Sequence, residues 1–279
     1  MPEEKTFDEL SYLRSEVRRL RQNLNLLTPA LNVVLKRRGF LIYKKEPGDD
    51  LLIPAGKFLE DYYKTLHRYS FRLFLRDVIK QQNFFTCEKV TRFATAGVTE
   101  EYIQYLEEIG LIKKHKEGFA LTRHIKSFGE TLEWFVAEVF KREFGAEAIW
   151  GVKFKRPNVG GDYDVLARIY GSVLLYAEVK SSPPKQIYDN EIAAFLDRVS
   201  DLAPEVSLFF MDTELRMKDK IVPMFEEALR KRHMRAEVAR IEKELFRIRN
   251  KIFIINSKDS IVRNLETVMN WCLRRSVGE

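Results

Sequence analysis

The residues best equipped for chemistry lie in one short stretch, Tyr176-Ala177-Glu178-Val179-Lys180, and in the segment before it, Gly160-Gly161-Asp162-Tyr163-Asp164-Val165-Leu166-Ala167. Side chains alternate faces along a strand, so Val173, Leu175, Ala177 and Val179 take one face while Glu178 and Lys180 share the other. A turn at Gly171-Ser172 folds the preceding strand back alongside and brings Asp164 beside Glu178. Two carboxylates at a strand edge repel unless a cation lies between them, and oxygen donors with open positions suit Mg2+ or Mn2+. An ion held there polarises a phosphodiester and lowers the pKa of its bound water, while the adjacent lysine orients that water or offsets charge on the phosphorane. The set is suited to phosphodiester hydrolysis. Without a metal it reduces to a solvated face of acids and a lysine.

The elements around this set read as an α/β domain. Phe128, Leu132, Phe135, Val136, Val139 and Phe140 recur at helical spacing and predict a helix to Phe144. Strands are expected over 148–155, 163–170 and 173–181, then a helix over 189–202, a strand over 206–211 and a helix from Met217. Residues 217–249 read as one or two solvated helices, in which Arg230-Lys231-Arg232-His233 could also track a phosphate backbone. A further strand over 252–256 and a terminal helix over 260–275, with Trp271 in the core, complete the pattern. The expected core is a helix, a three-strand meander, a helix and a strand in a mixed sheet.

Gly161-Asp162-Tyr163-Asp164-Val165-Leu166-Ala167, a hairpin, then Ala177-Glu178-Val179-Lys180-Ser181-Ser182 resembles the PD-(D/E)xK nuclease superfamily. Its nearest flavour is that of Mrr-type restriction endonucleases and archaeal Holliday junction resolvases, over roughly residues 128–211. The resemblance implies a Mg2+- or Mn2+-dependent endodeoxyribonuclease with Asp164, Glu178 and Lys180 in its active site. The family's proline before the acid is absent, and Asp162 competes with Asp164; the apolar run directly after Asp164 matches the family pattern and favours it. The family also often carries a glutamate on the helix before the sheet. Of Glu130, Glu133 and Glu138, Glu133 flanks the apolar face and fits the family's Gly-x-x-x-Glu spacing from Gly129, which makes it the third expected metal ligand. The alternative is a non-catalytic DNA-binding regulator that keeps the fold without the chemistry.

The N-terminal part offers ways to engage a partner. Thr6-Phe7-Asp8-Glu9 forms a capping box, and Leu10, Leu13, Val17, Leu20, Leu24 and Leu27 then alternate spacings of three and four. Such a seam packs on its own domain or joins two copies into a homodimer. Thr28-Pro29 and Gly39 bound a short basic helix bearing Lys36, Arg37 and Arg38, and residues 40–45 and 51–53 are expected to pair around Pro47-Gly48-Asp49-Asp50. Helices over 69–81, 86–93 and 99–110, the last N-capped by Thr99, precede a hairpin over 111–123 that turns at Glu117-Gly118. Three helices and a wing resemble winged helix-turn-helix DNA-binding domains. Glu100, Glu101, Glu107 and Glu108 give the third helix the wrong sign for phosphates, so DNA contact is assigned to Lys113, Lys114 and Lys116 on the wing, with His115 among them, and to Lys36, Arg37 and Arg38. The expected organisation is residues 1–68, a winged helix over 69–124 and the nuclease-like domain over 125–279.

Composition narrows the class. The 279 residues are 45% hydrophobic and 32% charged, with 13 Gly and 9 Pro, which excludes fibrous and disordered chains. The net charge of +7 favours an anionic partner, and residues 1–82 hold most of it, with 16 Lys and Arg against 11 Asp and Glu. Cys87 and Cys272 are far apart with no ligand spacing, and His67, His115, His124 and His233 form no metal pattern, so a disulfide framework and a zinc ribbon are not expected. Ser181 and Ser182 have no evident base partner, so a serine hydrolase is not expected. An acidic start, Met1-Pro2-Glu3-Glu4, and the lack of any apolar run of membrane length predict a cytoplasmic protein with no membrane partner.

Overall fold

The computed structural model describes residues 26–155 and 159–275 without a break, side chains as far as Cys272, and scattered positions between Glu9 and Asn23. The described elements begin with α1 (Leu31–Arg37), β1 (Ile42–Lys44), α2 (Leu59–Leu66), α3 (Tyr69–Lys80), α4 (Cys87–Val90), α5 (Ala96–Glu108), β2 (Ile112–His115) and β3 (Gly118–Leu121). They continue with α6 (Gly129–Phe144), β4 (Glu147–Phe154), β5 (Tyr163–Ile169), β6 (Val173–Lys180), α7 (Asp189–Leu202), β7 (Val206–Met211), α8 (Ile221–Lys231), β8 (Val238–Glu242), β9 (Leu245–Ile248), β10 (Ile252–Asn256) and α9 (Ile261–Arg275). Among the described residues, no helix is long and apolar enough to cross a membrane.

Two compact units form. One joins the described residues up to Glu46 to those from Val136 onward, and the other is Pro47–Phe135. This division differs from the expected 1–68, 69–124 and 125–279, and one strand shows why. Residues 42–44 do not pair with 51–53; β1 lies antiparallel on β4, with Ile42 opposite Phe154, and so joins the large sheet. The sheet gives β1 a partner over a separation of about a hundred residues that no local turn signal announces.

That sheet has eight strands in the order β1-β4-β5-β6-β7-β10-β9-β8. The β4-β5-β6 meander is antiparallel, while β6 with β7 and β7 with β10 are parallel, so the sheet is mixed. The expected α/β core, including the meander, α7, β7 and β10, is present in the expected order. Residues 217–249 are not helical throughout: α8 is followed by the β8-β9 hairpin, which packs onto β10. Lys243 and Arg249 adopt left-handed φ values of 42° and 51°, so turns usually marked by glycine carry long basic side chains instead. One apolar layer runs through this unit as a chain of rings, Phe40–Phe154–Tyr163–Tyr176–Phe195–Phe209, with neighbouring centroids 5.0–5.7 Å apart.

The second unit packs α2, α3, α4 and α5 with the two-stranded β2-β3 hairpin. Phe71 and Tyr102 meet edge to face at 4.9 Å in its core, and buried Arg72 donates to the carbonyls of Leu66 and His67 at 2.5 and 3.2 Å. The third helix begins three residues earlier than expected. Thr95 is its N-cap, accepting from Val98 N–H, while Thr99 is buried and its hydroxyl donates to the Thr95 carbonyl. Glu100, Glu101, Glu107 and Glu108 are all exposed.

Of the expected N-terminal seam, Leu13, Val17, Leu20 and Leu27 are exposed. Leu10 and Leu24 lie outside the described residues.

A carboxylate and lysine cluster at the end of strand β6

Register brings the sequence-predicted acids together. On β5 and β6 Val165 lies opposite Ala177 and Leu166 opposite Tyr176, so one further step along the ladder reaches Asp164 and Glu178. At that step a side chain replaces the main-chain ladder: Asp164 Oδ2 accepts from the N–H of Val179 at 2.7 Å. Asp162 is turned to other work. Its carboxylate pairs with Lys153 at 2.9 Å.

The expected exposed strand edge is absent. β6 is an interior strand of the sheet and Glu178 is 1% exposed, because α7 covers the face that Glu178 shares with Leu174 and Tyr176. A buried carboxylate requires compensation. Glu178 Oε1 lies 2.8 Å from Lys180 Nζ and 3.5 Å from Arg198 Nη2, and Oε2 accepts from the Tyr176 hydroxyl. Lys180 is held from the other side by Glu191 Oε1 at 3.3 Å, and Glu191 Oε2 accepts from the N–H of Tyr188 at the start of α7. Arg198 Nε donates to the carbonyl of Asp162 at 3.2 Å.

Electrostatics follow from this enclosure. Burial, then the Glu178 carboxylate, push the Asp164 carboxyl well above the ordinary aspartate range, against the opposing pull of Lys180, the Val179 N–H and Arg198. Burial draws Lys180 down, but Glu178, Asp164 and Glu191 outweigh it and the ammonium holds its proton more tightly than a free lysine. Lys180 is therefore a cation within this cluster. Burial and the Glu178 charge raise the Tyr176 hydroxyl, which keeps it a donor to Glu178.

The other candidate residues lie elsewhere. Glu133 is on the first half of α6, within the Pro47–Phe135 unit, and is half-buried. Lys113, Lys114 and Lys116 are exposed on the β2-β3 hairpin, as is His115. Lys36 and Arg37 are exposed in the last turn of α1, but Arg38 bonds to Glu205 at 2.6 Å and to the Ala203 carbonyl at 3.3 Å, so its guanidinium already ties α1 to the residues before β7. Tyr176, Glu191 and Arg198 were not anticipated. Arg198 carried a signal, since it falls on the stripe of Ile192, Phe195 and Leu202, where an arginine needs a buried acceptor.

The donors fit a hard divalent ion. Asp164 and Glu178 supply carboxylate oxygens, although burial, then the Glu178 charge, lead the Asp164 carboxyl to hold its proton, which an ion would have to displace. Among the described residues no group of three His, Cys, Asp or Glu gathers to enclose a metal. Mg2+ is commonly held by one or two carboxylates, with water and substrate phosphate oxygens completing its shell.

No family model matches the sequence, and no curated protein matches it. Among solved structures, the chain is similar to a protein designated VC1899 from Vibrio cholerae, with a TM-score of 0.39 at 10% identity, over 77% of this chain and 52% of that one. A chain from an assembly of Thermococcus gammatolerans McrB AAA+ hexamers with bound McrC matches with a TM-score of 0.33 at 12% identity, over 86% of this chain and 64% of its own. The chain thus spans less than two thirds of the length of either protein, and both likenesses are too weak to carry a functional argument.

Proposed function

We propose that this chain is a divalent-metal-dependent endodeoxyribonuclease of the PD-(D/E)xK kind, acting at the C-terminal end of β6. The observation that carries the reading is the convergence of Asp164 and Glu178 on neighbouring strands, with the Lys180 ammonium 2.8 Å from Glu178. Asp164 and Glu178 would hold Mg2+ or Mn2+, and the family resemblance adds Glu133 as a third ligand. The ion would supply Lewis acidity and a bound water of lowered pKa. Lys180, braced between Glu178 and Glu191, offsets charge that builds on the phosphorane and orients the attacking water. Arg198 and Tyr176 fix the Glu178 carboxylate.

In this reading residues 69–124, three helices and a hairpin, act as a winged helix. Lys113, Lys114 and Lys116 contact phosphates, as do Lys36 and Arg37. Two copies joined through the N-terminal seam would give one cutter per strand.

The test is cleavage of linear, supercoiled, branched and single-stranded DNA by the full chain with Mg2+, Mn2+ or EDTA. Metal-dependent cuts that disappear in Asp164→Ala and Glu178→Ala are expected. Cutting that persists in EDTA, or no cutting of any substrate with either metal, overturns the reading.

One observation favours a second reading, a DNA-binding protein with an inactive nuclease-like core. The Glu178 charge is already met by Lys180, Arg198 and the Tyr176 hydroxyl. Under that reading calorimetry would find no Mn2+ binding.

A further inference from the structure

We infer that the base of the β2-β3 hairpin is a stacking site for an unpaired nucleobase, and that single-stranded DNA is what it takes. The inference rests on the reading of the chain as a DNA-acting protein but not on its catalysis.

Phe84 is a phenylalanine held in the open. It is 40% exposed, while the next residue, Phe85, is fully buried. Phe85 and Phe119 exchange two main-chain hydrogen bonds of 2.8 Å, and Leu121 N–H donates to the Gln82 carbonyl at 2.9 Å. Phe85 therefore makes an isolated antiparallel bridge to β3, and the turn over 81–84 that leads into it, in which Phe84 N–H donates to the Gln81 carbonyl at 3.0 Å, fixes the Phe84 backbone beside the hairpin. Gly118 seats it. A Cβ at Gly118 would lie 2.9 Å from two atoms of the Phe84 ring and 2.5 Å from the Phe85 carbonyl oxygen, so the ring rests where only glycine leaves space. An aromatic ring costs free energy in water, and this one stays 40% exposed, with Gly118 against it and the Lys89 ammonium over its face.

The surroundings define the ligand. Phe84 lines a shallow cleft of about 590 Å³ with Asn83, His115, Lys116 and Glu117. Lys89 Nζ lies 5.4 Å from the ring centroid, and Lys113 and Lys114 are exposed on the strand that leads into the cleft. Four lysines face two carboxylates, Glu88 and Glu117, in these segments, so the local charge favours an anion. An exposed ring for stacking, cations for the backbone and amide groups on Asn83 for a base edge are what a single strand requires. A paired base has both faces covered in the duplex and cannot use the ring. On stacking, the base takes the place of the Lys89 ammonium over Phe84, and that ammonium moves to the phosphate.

The test is binding of the full chain, in EDTA, to equal-length labelled single-stranded DNA, duplex DNA and single-stranded RNA. Phe84→Ala should weaken single-strand binding by about tenfold or more, the usual effect of deleting a stacking ring, with duplex binding changed less than about twofold. Phe84→Trp should keep the affinity, and its emission, read against the wild-type tryptophans, should be quenched by single-stranded DNA. An unchanged Phe84→Ala, equal losses on single strand and duplex, unquenched Phe84→Trp at saturation, or tighter binding of the RNA overturns the assignment. If the chain bound no nucleic acid at all, the nuclease reading would fall with it. If it cut duplex DNA while Phe84→Ala behaved as wild type, this inference alone would fall.

Discussion

Arg198, two turns beyond Glu191 on α7, brings its guanidinium to the buried carboxylate of Glu178 at 3.5 Å and to the carbonyl of Asp162 at 3.2 Å. One side chain thus ties the covering helix both to the strand that carries the acid and to the turn before β5. It also supplies part of the positive charge that a metal would otherwise provide.

Arg198→Ala should cost about 1–3 kcal/mol in urea denaturation with EDTA present, since Lys180 and Tyr176 still compensate Glu178. If Asp164 and Glu178 are metal ligands, Mn2+ should stabilise the variant more than it stabilises the wild type. An identical response to Mn2+ in both would count against a metal between these acids.

Stability should also report Asp164. Its folded pKa lies above the unfolded value near 3.8, so the native state binds more protons than the unfolded chain in between. The contribution is fully present below that unfolded value and is lost as pH rises through the raised folded pKa. Without metal, stability should fall from mildly acidic toward alkaline pH. Asp164→Asn should flatten that slope, and saturating Mn2+, which selects the ionised carboxylate, should reverse it. A metal-free protein whose stability rises over this window through Asp164 would contradict the enclosure described here.

Replacing Lys113, Lys114 and Lys116 together with alanine should weaken DNA binding at low salt and flatten its dependence on log salt by roughly one unit for each phosphate no longer neutralised. Arg38→Ala should change that slope less than Lys36→Ala or Arg37→Ala, because the Arg38 guanidinium is engaged with Glu205 and Ala203. A slope unchanged in the triple variant would remove the hairpin from the DNA interface.

The acids were legible because their signal is local. A two-residue period and one short turn suffice to set Asp164 beside Glu178, and the bounds of β7 and β10 follow from mainly apolar runs of six and five residues. What escaped was long-range or lacked turn chemistry. The β1-β4 pairing joins segments about a hundred residues apart, and the β8-β9 and β9-β10 turns carry Lys243 and Arg249, respectively, in left-handed conformations. The burial of Glu178 escaped for a related reason: an acid on an alternating strand reads as solvent-facing until the Arg198 stripe of α7 is recognised as its cover.

Association through the N-terminal seam is testable directly. Light scattering at tens of micromolar should give a dimer, and Leu13→Lys with Leu20→Lys, both exposed positions, should return a folded monomer. A monomeric wild type would refute the dimer.

Lys180 separates chemistry from binding. Its ammonium lies between Glu178 and Glu191 with a side chain 20% exposed, so it can reach a substrate phosphate while remaining aimed by both acids. Burial is outweighed by these carboxylates, and the group stays protonated well into the alkaline range, which makes its service electrostatic. A charge directed at the phosphorane acts more on the transition state than on bound DNA. Lys180→Ala should therefore lower the single-turnover cleavage rate by about 10²-fold or more with DNA affinity little changed. Lys180→Arg keeps the charge but spreads it over a planar fork, and should recover only part of the rate. A structural role alone would lower thermal stability and leave the cleavage rate of the folded fraction intact. Wild-type cleavage by bound Lys180→Ala would take the central residue out of the nuclease reading and leave the inactive DNA-binding protein as the better account.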